Sequence, residues 1–546
     1  MVSASLRLCY KFFTALLVIT GLCYTQYKLN VFTKTRDNLP PLNPIKSNVH
    51  VQSLFFKYKL NLYLSDSLSF DRFIADHRNP KCQGREYPPN LPSVSIIIVF
   101  HNEPWSVLLR TIKSLIDRSP KYLLKEILLI DDFSTSNSIK YNLKSYLSET
   151  INDPRIKLTR FTSRIGLIKG RNYGASIATG NILIFLDSHV EVNIGWLEPL
   201  VSRLAEDTNR VVSPIVDLIS PFDFSYNPVP DNFMSGFTWK LTHFMQPLPL
   251  REQKRRKDDP TIPINRSPTT YGGIFAIHRQ FFFKLGGHDP DMSYLSYESI
   301  DLSLWVWCCG GNIEIVPCSR VGHIHRDLPY NFPAKKESIF LFNAGRIVET
   351  WLRRYKMFYY LAFPKTASID RGNTVWRRSH QQALNCKNFT WYLTNVYPET
   401  GFPLYYQSIG QIEHTPSMLC FDLRTKINSD KSVTLKPCRL NHRPDSSYYL
   451  QIFIYTGNGT IRCDNWCLTG SKEMEKLTLT ACDYSQSQIW IYSAKKSQLR
   501  HKSTNLCAHL PANNDGPILI QCNHSLLEQK FFIRDNFDWD EGNRLG

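Results

Sequence analysis

The sequence predicts an α/β domain followed by a smaller all-β domain. Between residues 93 and 186, continuous apolar runs such as SVSIIIVF (93–100) alternate with helical patterns, which is typical of a parallel, doubly wound sheet covered by helices. Between residues 411 and 535 a unit of about forty residues recurs three times, and each copy carries two cysteines and a Gln-x-aromatic motif. A chain of 546 residues has room for both domains.

Composition narrows the class of partner. Apolar residues make up 42% of the chain and charged residues 21%, which excludes a mostly disordered protein. The formal net charge of +18 favours acidic partners such as nucleotides or sugar phosphates. Because the positive charge is dispersed, we expect no nucleic-acid binding. The one dense basic run, REQKRRK at 251–257, is interpreted as a solvated loop.

The N-terminus carries an uncharged stretch. Residues 12–27 have no charged side chain and are flanked by Lys11 and Lys28. This length, extended by snorkelling lysines, predicts a signal-anchor transmembrane helix, with a removed signal peptide as the alternative. The preceding positive charge places residues 1–11 in the cytosol as a tail, so the rest of a single-pass type II protein faces the lumen. Residues 28–80 are expected to form a stem.

Cysteine usage agrees with an oxidising compartment. The chain has fourteen cysteines, and six of those near the C-terminus fall into three pairs of similar spacing. These pairs are Cys420 with Cys438, Cys467 with Cys482, and Cys507 with Cys522. Sequons that could carry glycans in this compartment begin at Asn265, Asn388, Asn458 and Asn523.

The predicted elements of the α/β domain follow in a regular order. Pro104 opens the first helix and Gly180 stops the last one, as these residue types do at helix termini. The elements are a strand at 93–100, a helix at 104–118, a strand at 126–130, a helical stretch at 138–148, a strand at 155–161, a helix at 167–179 and a strand at 181–186.

Polar side chains follow two of these strands. Asp131 and Asp132 end one strand, and Asp187-Ser188-His189 ends another. Because ligands of such sheets bind at the carboxyl ends of strands, we expect these side chains to share a site. The carboxylate and the imidazole of Asp-x-His project from alternate residues and can reach one metal ion. A divalent ion such as Mn²⁺ accepts both ligand types and can bridge a diphosphate. A simple turn or cap is the alternative interpretation.

Eight further segments occur in order along the chain. They are SDSLSFDRFIADHRNPKC (65–82), FHNEPWSVLLRT (100–111), KEILLIDDFS (125–134), FLDSHVEVNIGWLEPL (185–200), VVSPIVD (211–217), YGGIFAI (271–277), CGGNIEIVPCSRVGHIHR (309–326) and CKNFTWYLTNVYP (386–398). Together they resemble the polypeptide N-acetylgalactosaminyltransferases. The resemblance implies a GT-A-type nucleotide-sugar-binding domain, a ricin-like β-trefoil and a Golgi membrane location. The implied domains are a catalytic domain at 81–398, a linker at 399–410, a trefoil at 411–535 and a tail at 536–546.

The resemblance also implies an activity and a set of site residues. Members of the family transfer GalNAc from UDP-GalNAc to Ser or Thr hydroxyls of proteins or glycopeptides, use Mn²⁺ and retain the anomeric configuration. The implied metal ligands are Asp187, His189 and His323. The implied nucleotide-sugar contacts are Asp132, Arg164, Arg171, Ser188, Gly272 and Gly273, with Arg326 and Tyr330 on a loop that closes over the diphosphate. Arg164 and Arg171 have ordinary surface arginines as their alternative interpretation.

Glu298 is the implied catalytic residue. Since the family's mechanism needs no protein nucleophile, we expect Glu298 to position the sugar or the acceptor; a purely structural carboxylate is the alternative. Disulfides between Cys82 and Cys318, and between Cys309 and Cys386, are also implied. Apart from Cys9 and Cys23, which flank or lie in the predicted anchor, all the pairs together leave Cys308 and Cys463 either as free thiols or as a pair.

The sequence departs from the family pattern beside Glu298. Where the family has Trp-Gly-Gly-Glu-Asn, this chain has Leu295-Ser296-Tyr297-Glu298-Ser299, and nearby Ile165 and Lys169 also differ. Three hypotheses follow. The chain is a GalNAc-transferase, a non-catalytic relative that acts as a lectin-like binding or regulatory protein, or a transferase with another donor or acceptor.

The C-terminal repeats differ in one position that matters for sugar binding. An Asp after the first cysteine supplies a polar group for sugar hydroxyls in such lectins, and it occurs here as Asp422 in the first repeat. The other repeats read Cys-Leu-Thr and Cys-Ala-His at this point. The sequence therefore predicts at most one lectin site, at Asp422, with a purely structural trefoil as the alternative.

Overall fold

The computed structural model describes most of the chain after the predicted stem begins. The described residues are 49–257, 259–329, 332, 335–423, 433–439, 448–483, 485–514 and 516–534. The predicted membrane span at 12–27 and the tails at 1–11 and 536–546 lie outside them. Among the helices within these ranges, none has the length and apolar character needed to cross a bilayer.

The chain divides into two compact units. The described part of the first unit comprises residues 49–67, 221–223 and 326–329. Its two helices are α1 (Val49–Tyr58) and α2 (Leu62–Ser67). Asn61 joins its segments, because its backbone N–H donates to Pro221 O at 2.8 Å and its side chain donates to Phe222 O at 3.0 Å. Part of the predicted stem is thus helical.

The second unit contains a large mixed sheet and a set of smaller antiparallel sheets. The strands of the large sheet run in the order β10-β12-β6-β11-β4-β1-β2-β3, with β5 paired to β12 and β7 paired to β6. Their bounds are β1 Val94–Phe100, β2 Leu124–Asp131, β3 Ile156–Arg160, β4 Ile182–Leu186, β5 Val190–Val192, β6 Arg210–Ile219, β7 Tyr226–Asn227, β10 Ile264–Asn265, β11 Phe275–His278 and β12 Asn312–Ile324; β8 Phe233–Phe237 and β9 His243–Pro247 form a separate hairpin.

Helices alternate with the strands of this sheet along the chain, and further helices follow its last strand. The structure confirms the predicted helix after Pro104, and the helix predicted to reach residue 179 ends at Ile177. Residues 138–151 form a largely π-helical stretch. The remaining helices of the second unit are α3 Pro80–Gln83, α4 Trp105–Arg118, α5 Leu167–Ile177, α6 Leu197–Glu206, α7 Leu250–Arg256, α8 Arg279–Lys284, α9 Glu298–Cys308, α10 Lys336–Ile347, α11 Lys356–Ala362, α12 Val375–Ala383 and α13 Phe389–Asn395.

The parallel pairing predicted for the strands between residues 93 and 186 is confirmed, and strands later in the chain make the whole sheet mixed. β1, β2, β3 and β4 pair in parallel, as do β6 and β12, but β11 runs antiparallel to both of its neighbours. A parallel neighbour needs a crossover that returns the chain to the edge where the sheet begins. The segment between β6 and β11 contains the β8–β9 hairpin, α7 and β10 instead, and it delivers the chain to the carboxyl edge of the sheet.

The interpretation of the basic run 251–257 as a solvated loop was also wrong. Most of it forms α7, and three of its arginines are paired within the protein. Arg251 bonds Glu399 at 2.8 Å, Arg255 bonds Glu252, and the buried Arg256 donates to backbone carbonyls including Ile262 O at 3.0 Å. Because arginine presents several donors in a fixed geometry, a dense basic run can hold loops together rather than bind an external anion.

The C-terminal strands confirm the threefold repeat. They are β13 Tyr406–His414, β14 Leu419–Asp422, β15 Thr434–Pro437, β16 Phe453–Thr456, β17 Ile461–Cys463, β18 Trp466–Thr469, β19 Thr478–Ala481, β20 Trp490–Ser493, β21 Gln498–His501, β22 Cys507–His509, β23 Ile518–Ile520 and β24 Phe531–Arg534. Each repeat holds one disulfide, as predicted: Cys420–Cys438, Cys467–Cys482 and Cys507–Cys522.

The glutamine of each Gln-x-aromatic motif makes the same pair of hydrogen bonds. Its amide group brackets the second cysteine of the repeat, accepting from the backbone N–H that follows this cysteine and donating to the carbonyl that precedes it. The three cases are Gln451 with Arg439 N and Pro437 O, Gln488 with Asp483 N and Ala481 O, and Gln529 with Asn523 N and Gln521 O, all at 2.8–3.1 Å. The motif therefore serves the fold of each repeat.

The cysteine pairing of the α/β domain agrees with the prediction. Cys82 bonds Cys318, and Cys309 bonds Cys386. Cys308 and Cys463 are both buried and form no disulfide, so they are not a pair. Burial raises the pKa of both thiols.

Candidate metal centre and sugar site

Three side chains that could hold a metal ion meet at the carboxyl edge of the large sheet. β4 ends at Leu186, and the chain turns through Asp187 and His189 into β5. β5 pairs antiparallel with β12, and this pairing places His323 opposite Val190. One ligand atom from each of Asp187, His189 and His323 lies within 4.8 Å of the others. The turn after β4 and the register of β12 thus bring the predicted set together.

Glu103 fixes the orientation of one of these histidines. Its Oε2 lies 3.2 Å from Nδ1 of His189 and accepts a hydrogen bond from Ser188 Oγ at 2.7 Å. A histidine whose Nδ1 is engaged by a carboxylate presents Nε2 to a metal, and the carboxylate makes that nitrogen a better ligand. Glu103 was not among the predicted residues. Its position three residues after the end of the buried strand β1 was a usable signal, similar to the one that drew attention to Asp131.

Arg171 connects the metal ligands to Glu298. Its Nη2 donates to Asp187 Oδ1 at 3.0 Å and to Gly273 O at 3.3 Å, and its Nη1 donates to Glu298 Oε1 at 3.1 Å. Burial disfavours the charge on Asp187. The hydrogen bond with His323 and the charge of Arg171 outweigh this effect, so the pKa of the Asp187 carboxyl lies well below its usual range. The Arg171 side chain is almost fully buried between these groups.

The two predicted glycines lie beside this arginine and differ in their surroundings. Gly272 has φ +60°, and a Cβ built on it would meet no atom within 4 Å. A Cβ built on Gly273 would lie 2.3 Å from Nη2 of Arg171. Gly273 is therefore required for the close approach of the arginine, whereas Gly272 borders open space.

Asp132 organises the loop that leads into α5. Its carboxylate is buried and accepts hydrogen bonds from Arg164 Nε at 2.9 Å, from Ile165 N at 2.7 Å and from Gly166 N at 3.1 Å. Gly166 has φ +86° and contacts the backbone of Tyr294 closely, since a Cβ there would lie 2.4 Å from Tyr294 Cα. The loop is consequently fixed against the segment that precedes Glu298.

That segment, which departs from the family pattern, is held in an unusual backbone conformation. Ser296 and Tyr297 have φ +89° and +70°, and α9 begins directly afterwards at Glu298. Asn343 on α10 holds this segment through hydrogen bonds, because its Nδ2 donates to Leu295 O at 3.0 Å and to Ser296 O at 3.3 Å. Asn343 is a second residue that the sequence did not reveal, because nothing local marks it as a contact.

Ser299 has a polar partner on the β8–β9 hairpin. Its Oγ lies 2.9 Å from Nε2 of His243. His243 was also missed by the sequence reasoning, because it lies in a hairpin far from every motif. Burial lowers the pKa of His243 to about 4. The imidazole is therefore neutral at pH 7, with one donor nitrogen and one acceptor nitrogen.

The contacts described above include none of three predicted residues, Tyr330, Arg326 and Asp422. Tyr330 falls outside the described residues. Arg326 belongs to the first compact unit, where Nη1 donates to Tyr58 O at 2.8 Å. Asp422 lies on β14 of the trefoil, where it is fully buried and its Oδ2 accepts from Gln451 Nε2 at 3.1 Å.

The donor set suits a Mn²⁺ ion. One carboxylate and two imidazoles within mutual reach form a mixed oxygen and nitrogen set, which this ion accepts. The orientation of His189 by Glu103 is the outer-shell contact expected of a histidine ligand. On both counts the residues fit the metal.

Comparisons with known proteins agree with this architecture. Residues 95–281 match Glycosyl transferase family 2, and residues 408–531 match the Ricin-type beta-trefoil lectin domain. The crystal structure of GalNAc-T7 with UDP, GalNAc and Mn²⁺ is similar with a TM-score of 0.62 at 30% identity, covering 91% of this chain and 90% of that chain. The mixed sheet followed by a trefoil is thus a GT-A glycosyltransferase domain joined to a ricin-type domain.

Relatives of similar length carry the same family name. Polypeptide N-acetylgalactosaminyltransferase 13 of Rattus norvegicus is 38% identical over 492 residues, which cover 89% of this chain and 87% of the relative. Probable N-acetylgalactosaminyltransferase 6 of Caenorhabditis elegans is 36% identical over 505 residues, which cover 88% of this chain and 80% of the relative. The chain belongs to the polypeptide N-acetylgalactosaminyltransferase family.

Proposed function

We propose that this chain transfers GalNAc from UDP-GalNAc to Ser or Thr hydroxyls of proteins, with retention of the anomeric configuration and with Mn²⁺ as cofactor. The observation that carries this proposal is the continuous chain of contacts from the candidate metal ligand Asp187 through Arg171 to Glu298. It joins a site for a diphosphate-bound cation to a carboxylate at the place where the sugar of the donor would lie.

Asp187, His189 and His323 would hold the Mn²⁺ ion. When bound, the ion supplies positive charge next to the diphosphate of the donor. We assign Arg164 and Ser188 to the nucleotide sugar, and Asp132 to the uracil or ribose end, where its hydrogen bonds to residues 164–166 also keep that loop in place. Gly272 borders the open space that the sugar requires.

Arg171 and Glu298 act on the sugar side. Arg171 is held between two carboxylates, so its guanidinium cannot turn away from the site. Oε1 of Glu298 is taken by this arginine, whereas Oε2 is buried and has no hydrogen-bond partner among the described residues. A buried acceptor of this kind is suited to a hydroxyl of the sugar or the acceptor. Glu298 is accordingly a positioning carboxylate rather than a nucleophile.

The transfer itself exchanges two bonds at one carbon. The bond from the anomeric carbon to the β-phosphate oxygen breaks and its electron pair leaves with UDP. The acceptor oxygen bonds to the same face of that carbon, and its proton passes to the departing phosphate. No covalent intermediate with the protein is required, so the protein's part is to bind, orient and exclude water.

The altered residues of the segment Leu295–Ser299 do not indicate a loss of catalytic function. Glu298 keeps its contact with Arg171, and the backbone before it is held by Asn343. The changed side chains next to Glu298 bear on which sugar and acceptor are used. The non-catalytic alternative gains no support from these contacts.

We also propose that the first trefoil repeat binds a sugar of glycosylated acceptors through Asp422. The match of residues 408–531 to ricin-type lectins supports a lectin role for the domain, and the carboxylate of Asp422, which the other two repeats lack at this point, favours the first repeat. If so, Asp422→Ala abolishes binding to GalNAc-bearing glycopeptides on an array. Unchanged binding rejects the site.

We propose that Arg326 and Tyr330 lie on a loop that closes over the diphosphate.

We also propose a Golgi membrane location, with residues 12–27 as a type II anchor. The five disulfides among the described residues support a lumenal, oxidising environment for the folded part. Protease protection of the described domains in intact microsomes tests the orientation.

The experiment that tests the activity uses the full chain from a secretory host, purified in detergent. GalNAc transfer from UDP-GalNAc with Mn²⁺ is measured on naked and on pre-glycosylated Ser/Thr peptides, with Asp187→Ala as the inactive control. Transfer that the control lacks supports the proposal. A folded protein that binds UDP and Mn²⁺ but transfers nothing contradicts it.

A further inference from the structure

His243 contacts a small cluster of hydroxyl groups that includes Ser299, the residue after Glu298. It is the first residue of β9, and its ring faces Ser235 on β8, Thr269 on the loop before β11, and Ser299 on α9. Nε2 lies 2.9 Å from Ser299 Oγ. Nδ1 lies 3.4 Å from both Ser235 Oγ and Thr269 Oγ1. Three separate chain segments therefore meet at one imidazole.

The hydrogen bonds of this cluster run in one direction. Thr269 Oγ1 donates to Ser235 Oγ at 2.7 Å, which leaves the Ser235 hydroxyl to donate to Nδ1 of His243. A neutral imidazole that accepts at Nδ1 carries its hydrogen on Nε2. Nε2 then donates to Ser299 Oγ, so the hydrogen of the Ser299 hydroxyl must point away from the histidine.

Ser299 is the second residue of α9 and is buried. It follows Glu298, the carboxylate that Arg171 links to Asp187. The cluster also reaches the loop that carries the two glycines, because Ser303 Oγ donates to Ser299 O at 2.5 Å and Thr270 N donates to Ser303 Oγ at 3.1 Å. His243 therefore sets the direction of a hydroxyl hydrogen on the residue next to Glu298.

We propose that His243 is a positioning residue that holds the Ser299 hydroxyl as a hydrogen-bond donor to an oxygen of the sugar of the nucleotide sugar. The inference rests on the proposed function, and it gives the altered segment a role in choosing the sugar. A hydroxyl whose hydrogen is directed in this way pairs with a sugar oxygen and leaves an unpaired buried donor when that oxygen is missing. His243 itself touches no substrate.

The test compares two ligands that share the nucleotide and differ in the sugar. Binding of UDP and of UDP-GalNAc to the full chain is measured by calorimetry with Mn²⁺, and KM for UDP-GalNAc is measured alongside. His243→Phe keeps the ring but removes both nitrogens. We expect its affinity for UDP-GalNAc to fall roughly tenfold, the size of one well-placed hydrogen bond, while its affinity for UDP is unchanged. His243→Gln places an amide N–H where Nε2 was and should recover most of the loss.

Two further variants separate positioning from folding. Ser299→Ala removes only the hydroxyl and should show the same selective loss for UDP-GalNAc, with a cooperative unfolding transition that shows the variant is folded. His278→Phe is the matched control, since this histidine of β11 contacts the carbonyl of Leu204 at 3.0 Å away from the cluster. It should bind both ligands like the unmodified chain.

The inference is overturned by either of two results. One is an unchanged affinity of His243→Phe and Ser299→Ala for UDP-GalNAc. The other is an equal loss for UDP and UDP-GalNAc that His243→Gln does not recover, as a purely structural histidine would give. Failure of the unmodified chain to transfer GalNAc while it still binds UDP-GalNAc contradicts the proposed function alone, because the binding comparison does not depend on transfer.

Discussion

Nδ1 of His189 lies 3.2 Å from Oε2 of Glu103, and this contact determines which nitrogen of the histidine is left for a metal ion. Glu103 is buried, follows β1, and also accepts from the Ser188 hydroxyl at 2.7 Å. The carboxylate thereby holds the Ser188 and His189 side chains of the Asp-x-His turn. The candidate metal ligands therefore come from the turn after β4 and from β12, and Glu103, which follows β1, orients one of them.

Replacement of this carboxylate should weaken metal binding without removing a ligand. In Glu103→Gln the side chain keeps its shape but loses the charge that holds His189, so we expect the affinity for Mn²⁺ to fall about tenfold to a hundredfold. Titration of Mn²⁺ at saturating UDP measures the change. Glu149→Gln, on the exposed face of the helical stretch 138–151, is the control. An unchanged Mn²⁺ dependence in Glu103→Gln would show that the contact does not serve the metal.

The neighbouring glycines allow a matched pair of substitutions. Gly273→Ala places a Cβ 2.3 Å from Nη2 of Arg171, which is buried and bonded to Asp187 and Glu298. The guanidinium must shift and give up part of these bonds, so kcat/KM for GalNAc transfer should fall at least tenfold, equivalent to about 1.4 kcal/mol.

Gly272→Ala meets no atom within 4 Å but adopts φ +60°. It should cost about 1 kcal/mol of stability through backbone strain and affect transfer far less. Activity assays and thermal unfolding of both variants make the comparison. A larger activity loss at Gly272 than at Gly273 would contradict the assigned role of Arg171.

The elements that the sequence predicted best are those whose signal is local. The strand 93–100, the helix after Pro104 and the Gln-x-aromatic repeats each depend on a pattern within a few residues, and the structure contains all of them. The Asp187 and His189 pair was predictable for the same reason, because a buried strand ending in polar residues marks the carboxyl edge of a sheet.

The parts that could not be predicted depend on contacts between distant segments. The reversal of β11 follows from where the chain re-enters the sheet after β6, which no local pattern encodes. His243 and Asn343 become neighbours of the altered segment only through the packing of a hairpin and of α10. The basic run 251–257 was misinterpreted because charge alone does not show whether the side chains are hydrated or pair with groups elsewhere in the chain.

The glutamine of the second trefoil repeat offers a test of the fold. Gln488 is buried and bonds Asp483 N, Ala481 O and Thr480 Oγ1, each at 2.9 Å. Gln488→Ala leaves these groups unpaired, and we expect a loss on the order of 3 kcal/mol in the free energy of unfolding. Urea unfolding measures it, with the exposed Gln486→Ala as the control. Equal stability of the two variants would contradict a structural role of the motif.

The contact between the two domains should make stability depend on pH. Asp464, in the turn after β17, accepts from Trp239 N, in the turn after β8, at 3.2 Å to each carboxylate oxygen. Burial raises the pKa of Asp464 to about 7, against the opposing effects of the Trp239 hydrogen bond and the charge of Arg462. Between pH 4 and pH 7 the folded protein then holds a proton that the unfolded chain has already released.

Stability should therefore decrease as pH rises through this window, the opposite of the usual behaviour of an ion-paired aspartate. The full effect is on the order of 4 kcal/mol, which follows from about 1.4 kcal/mol for each pH unit between the two pKa values. Asp464→Asn is neutral throughout and should gain stability over the unmodified chain as pH rises from 5 to 8 in urea unfolding. Asp117→Asn, at an exposed position of α4, should show no such trend. Parallel pH profiles of the unmodified chain and Asp464→Asn would mean that the carboxylate is charged in the folded protein, and the junction would then depend on Arg462 and Lys240 for its compensation.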